Sequence, residues 1–139
     1  MKPRSVTVTR LVPIVAALVL SAVGLASSAP ALGHRRADAI RVTVPTTVKR
    51  KVVYDVTIAG YARRHAKAYL FIDYQLCARS FASERARAAN ESQVYRVNGG
   101  FARTSGWKSS DRGFDHACAY LVSATGAVLA EAIRSYRVN

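Results

Sequence analysis

The chain holds little acid, cysteine or histidine, and each scarcity closes off a chemistry. Its 8 Asp and Glu residues are scattered over 139 positions, without the paired carboxylates of a glycosidase. Three histidines (His34, His65, His116) and two cysteines (Cys77, Cys118) show neither C-x-x-C nor H-x-x-x-H spacing. No zinc site or other metal ligand set is therefore expected. A nucleophile elbow of the form G-x-S-x-G is missing, as is a glycine-rich phosphate loop. Aromatic residues do not interleave with the basic ones, so stacking on single-stranded nucleic acid lacks a platform. A chain this short also excludes a multidomain enzyme. No catalytic residue, no cofactor and no sequence-specific nucleic-acid binding are expected.

What is abundant is apolar and basic. Half the residues are apolar, enough for a packed core. Lys and Arg number 21, for a net charge of +13, and arginines dominate. Codon composition in a GC-rich genome explains such a skew more readily than selection for anion binding does.

The N-terminus carries the strongest signal. Lys2, Arg4 and Arg10 precede a charge-free apolar run over residues 11–25. Small residues follow over 26–31, then a polar stretch from His34 to Arg36. This order predicts a secretory signal peptide over residues 1–28, cut after Ala26 or Ser28, and a linker over 29–38. The alternative is an uncleaved anchor, since residues 11–32 just suffice to span a bilayer. Pro13, Gly24 and the Ser27–Ser28 pair weaken such a helix and favour cleavage. Without Lys2, Arg4 and Arg10 the chain keeps 18 basic residues against 8 acidic, a net of +10. No cysteine precedes Cys77, which rules out a lipid-modified N-terminal cysteine.

Export decides how the cysteines are read. An oxidising compartment should join Cys77 to Cys118 as a structural staple. In the chain-entropy account that bridge stabilises the domain by roughly 4 kcal/mol.

Residues 39–139 read as short strands. Val42 and Val44 alternate with Arg41 and Thr43; Val52, Tyr54, Val56 and Ile58 alternate up to a stop at Gly60. Residues 68–76 are apolar on both faces around Tyr69–Ile72, as in a covered central strand. A short strand over 94–97 runs into Asn98, Gly99 and Gly100, and a polar loop over 104–112 surrounds Trp107. Strands over 117–122 and 127–138 flank a hairpin turn at Ser123–Gly126. Residues 78–90 lack β-branched side chains and predict a helix of two or three turns capped by Ser80 or Ser83.

Cys77 closes one apolar strand and Cys118 sits in a late one, at the end of the run Asp111–Cys118. That run resembles the immunoglobulin-type pattern Asp-x-x-x-x-Tyr-x-Cys, and the closing hairpin fits strands F and G of such a domain. The chain resembles the small exported immunoglobulin-like domains of bacteria to which no activity is assigned. The resemblance implies a mainly β, antiparallel sandwich of about six to seven strands, with the one short helix near residues 80–90. His116 stands where the corner tyrosine would be, and no tryptophan follows Cys77 at strand-C distance. The resemblance therefore carries architecture and no functional residue.

Two basic clusters remain as candidate anion sites. Lys49, Arg50 and Lys51 precede the strand over 52–59; Arg63, Arg64 and Lys67, with His65, follow it in an expected loop. Eleven residues, 52–62, lie between the clusters, at least about 30 Å of extended chain and too far for one site. Solvated loop charges are the plainer reading; if the charge serves binding, Arg63, Arg64 and Lys67 are the preferred contact, with Tyr61 and His65 beside them. Asn90–Ser92 is a formal glycosylation sequon. His116 is expected to bond backbone at a strand end, and Asp115, its neighbour, to point to the opposite face. The sum is an exported, non-enzymatic binding or structural module of the cell envelope or extracellular space, its partner an anionic surface polymer or an envelope protein. The rival is a small secreted hydrolase using His116 or His65; His116→Ala would then abolish turnover and spare the melting temperature.

Overall fold

The computed structural model describes residues 36–87 and 92–139. The expected signal peptide with its anchor alternative, His34, and Asn90 and Glu91 of the sequon lie outside the described residues. Among the described residues are six strands and one helix: β1 (Ala39–Thr43), β2 (Thr47–Val48), β3 (Tyr54–Asp73), α1 (Phe81–Arg87), β4 (Ser92–Trp107), β5 (Gly113–Ser123) and β6 (Val128–Val138). The expected immunoglobulin-like β-sandwich with one short helix is the observed architecture.

β3 organises the molecule. Its first half pairs antiparallel with β1, from Ala39 opposite Tyr61 to Thr43 opposite Thr57. Its second half pairs with β5, from Ala66 opposite Ser123 to Asp73 opposite His116. β4 follows β3 along nearly its whole length, β6 extends the sheet from β5, and β2 adds parallel to the end of β6. Val42 of β1, Val56 and Ile58 of β3, Leu121 of β5 and Tyr136 of β6 meet in one core. Every buried apolar side chain among the described residues lies between Val42 and Val138, so the unit His34–Asn139 encloses its own core.

Three expectations about segment ends give way to longer strands. Gly60 does not stop a strand. It lies inside β3, where an added Cβ would come within 2.0 Å of the Ala39 carbonyl oxygen; only glycine lets β1 approach so closely. Asn98–Gly100 and the stretch around Trp107 belong to one continuous β4, because β3 offers it a ladder from Tyr54 to Phe71. The residues after Gly60 form no loop either. Between Ala62 and Ala66 the register slips, so Arg63, Arg64 and His65 stand opposite Asn98 alone, and Gly99 takes a left-handed φ of 70° there. Two surplus residues keep the pleat in phase, with Ala62 and Ala66 both buried, while the three between them all turn to solvent.

The outer face of β3 and β5 carries a second cluster, in which Phe81 of α1 packs on Tyr69 and Tyr120. Ser80 caps the helix: its hydroxyl accepts the Ser83 N–H at 3.2 Å. Cys77, beyond the end of β3 and not within it, is bonded to Cys118 of β5 with Cα atoms 5.8 Å apart. Arg87 completes the attachment, reaching Asp73 at 2.8 Å, Glu84 at 3.0 Å and the Leu76 carbonyl at 2.6 Å.

Candidate anion-binding groove at the β3 bulge

The bulge does chemical work because it releases backbone as well as side chains. Arg63 has no ladder partner on β4, and its N–H donates to Asp38 Oδ1 at 2.7 Å. The same side chain donates from Nε to Asp38 Oδ2 at 3.0 Å. Asp38 immediately precedes β1, so the pairing that Gly60 permits also delivers this carboxylate. The Arg63 backbone N–H holds the Asp38 carboxyl below the ordinary carboxylate range, with the guanidinium adding to the effect.

An open groove of about 1050 Å³ runs beside this pair. Arg36, Arg63, Arg64 and His65 line it with positive or titratable groups, and Tyr61, Asn98, Ser123 and Thr125 add donors. The Arg36 guanidinium lies 5.2 Å from the centre of the Tyr61 ring, a cation–π geometry that fixes a charge at the rim. Ser123 and Thr125 come from the β5–β6 hairpin, which the Ala66–Ser123 pairing brings to the bulge. Their hydroxyls lie 2.9 Å apart.

Of the three anion-site residues chosen from sequence, the structure brings two to the groove. Arg63 is already engaged by Asp38, whereas Arg64 makes no ion pair among the described residues. Lys67 lies beyond the bulge, exposed and opposite Arg96 and Val122 in the ladders, and does not line the groove. Arg36 was missed. Its signal was only a charge in the linker, and nothing local says that a chain entering β1 passes the β3 bulge.

His116 is buried inside β5 and bonds a side chain, not backbone: its Nδ1 lies 2.7 Å from Ser135 Oγ. A full ladder row places Asp73, His116 and Ser135 across three strands. Asp73 is spent elsewhere, on Arg87 and on the Gln75 N–H at 2.8 Å, so the imidazole gains no orienting acid from it. Asp115 points the other way, as expected from strand geometry, and accepts the Ser109 hydroxyl. No group of three or more His, Cys, Asp or Glu side chains able to hold a metal ion gathers among the described residues. No helix among them is long and apolar enough to cross a membrane.

No protein-family model matches the chain, and no curated protein matches it either. Among solved structures, the PKD domain of an M14-like peptidase from a Thermoplasmatales archaeon superposes with a TM-score of 0.53 at 10% identity, over 73% of this chain and 94% of that one. The sulfur carrier protein SoxY from Chlorobium limicola gives 0.51 at 11% identity, over 72% and 78%. The CARDB domain of a Pyrococcus furiosus protein gives 0.49 at 12% identity, over 74% and 93%. For the first two, the property shared at such identities is the fold.

Proposed function

We propose that this chain is an exported, non-enzymatic binding module that attaches to an anionic polymer of the cell surface through the groove at the β3 bulge. The observation that carries the reading is the gathering of Arg36, Arg63, Arg64 and His65 around an open groove where, among the described residues, Asp38 is the only acid in the lining. Hydroxyl and amide groups beside those cations suit phosphate or sulfate esters and free carboxylates. The Cys77–Cys118 bridge fits an oxidising compartment, in keeping with the export expected from residues 1–28.

The test is retention of the unit His34–Asn139 on immobilised polyphosphate and dextran sulfate as salt rises. Arg36→Glu with Arg64→Glu should cut affinity at least tenfold more than Arg134→Glu with Arg137→Glu, which changes net charge equally. Counterion release makes the wild-type affinity fall steeply with salt. Equal losses from the two pairs would sink the groove and leave only net charge.

A further inference from the structure

A second cationic surface lies at the start of β3, away from the bulge at its middle. Residues 49–53 are exposed without interruption: three cations, Lys49, Arg50 and Lys51, followed by Val52 and Val53. The two valines are 52% and 66% exposed, and they directly follow the three cations. The backbone beneath them is held from both sides. Arg50 N–H donates to the Asn139 carbonyl at 2.9 Å, Lys51 N–H to the Ser109 carbonyl at 2.8 Å, and Val52 N–H closes the turn on the Lys49 carbonyl at 3.3 Å. Lys51 occupies the left-handed region at φ 62°, uncommon for a residue other than glycine. The segment is a fixed projection that presents its side chains outward.

Ladder register adds further cations to the same end. Tyr54 pairs with Trp107, which puts Val53 beside Lys108; Val138 pairs with Val48 on one side and Gly113 on the other, so Lys49 and Arg112 flank the end of β6. The exposed acids nearby are Asp55 and Asp111, so cations outnumber them.

We infer that this end docks on an anionic lipid surface, with Val52 and Val53 entering the interface and the flanking cations meeting headgroup phosphates. A dissolved polyanion would use the cations and leave the valines in water; a bilayer surface takes both. The site is separate from the groove, and its failure would not touch the reading given to the groove.

The unit His34–Asn139, which encloses its own core, is sedimented with phosphatidylcholine vesicles with and without phosphatidylglycerol. The expected result is binding to the anionic vesicles only, weakened by salt. Val52→Ser with Val53→Ser should lower it about tenfold while retention on polyphosphate and the melting temperature stay unchanged. Lys49→Ala with Lys51→Gly should lower vesicle binding similarly, the glycine also suiting the φ at that position. Arg36→Glu with Arg64→Glu should leave it largely intact. Vesicle binding unaffected by the valine substitutions, or no preference for phosphatidylglycerol, would overturn the inference.

Discussion

Asp38 grips Arg63 at two points, its Oδ1 on the backbone N–H at 2.7 Å and its Oδ2 on Nε at 3.0 Å. One carboxylate thus pins the start of β1 to the bulge of β3 and neutralises a groove arginine. Fold and candidate site share this contact, and several outcomes hang on it.

Asp38→Asn should strengthen polyanion binding, because the groove loses its acid and Arg63 becomes available. The pair is exposed on the Arg63 side, so the melting temperature should move little, in line with the ~0–1 kcal/mol typical of surface ion pairs. Protonation should mimic the substitution. The folded-state pKa is lowered, so the stabilisation is complete above about pH 4 and disappears as pH falls through the lower folded value. Binding to dextran sulfate, which stays charged in acid, titrated against pH in both proteins, checks this: the wild type should approach the variant as Asp38 protonates.

Gly60→Ala should damage both fold and groove. Its Cβ would meet the Ala39 carbonyl oxygen at 2.0 Å, forcing β1 away from β3 and Asp38 away from Arg63. Overpacking of this kind costs about 1–3 kcal/mol. Denaturant unfolding measures the loss, and hydrogen exchange at the Arg63 amide should rise with it.

Cys77→Ser should cost about 2–5 kcal/mol, since the bridge closes a sequence separation of 41 residues. Cys77 is the better position to change because Cys118 is fully buried, where a hydroxyl would add its own penalty. Comparing urea midpoints of the variant and the oxidised wild type decides it. Equal midpoints would show the bridge to be dispensable.

Arg87→Ala should destabilise by about 3–5 kcal/mol, far more than Arg85→Ala. It would remove the counter-charge from the wholly buried Glu84 and from Asp73, leaving them, among the described residues, only the Ala78 and Gln75 N–H donors. Arg85 stands at 6.0 Å over the Tyr69 ring, a contact worth about 0.5–1 kcal/mol at an exposed position. Thermal melts of the two variants provide the contrast.

Alkaline pH should unfold the domain through its buried tyrosines. Tyr120 is pushed up to about 12, chiefly by burial and further by Glu84. Tyr136 is raised as well, by burial first and then by its hydroxyl contact with Tyr54 at 2.7 Å. Raised folded values mean that the stabilisation is whole below about pH 10 and is lost as pH climbs through the folded values. Tyrosinate absorbance and circular dichroism followed together should show late, cooperative ionisation; gradual ionisation near pH 10 without unfolding would contradict it.

Sequence alone determined the fold class, the period of two that sets Val42, Val56 and Ile58 on one face, the Ser123–Gly126 hairpin and a short helix with Ser80 or Ser83 as its cap. Each rests on a local property: a period of two, a turn composition, a capping hydroxyl. The pairing of Cys77 with Cys118 also followed from sequence, because only one partner was available. What tertiary structure decided was how far each strand runs and which charges meet. Gly60 reads locally as a stop, but the close approach of β1 makes it the residue that lets β3 continue. Arg63, Arg64 and Lys67 read locally as one cluster. The register slip between Ala62 and Ala66 instead joins the first two to Arg36 and Asp38 and leaves Lys67 beside Arg96. The physical reason is that a bulge is set by two strands at once: β3 holds the surplus residues, but only its ladder with β4 decides where they must leave the sheet.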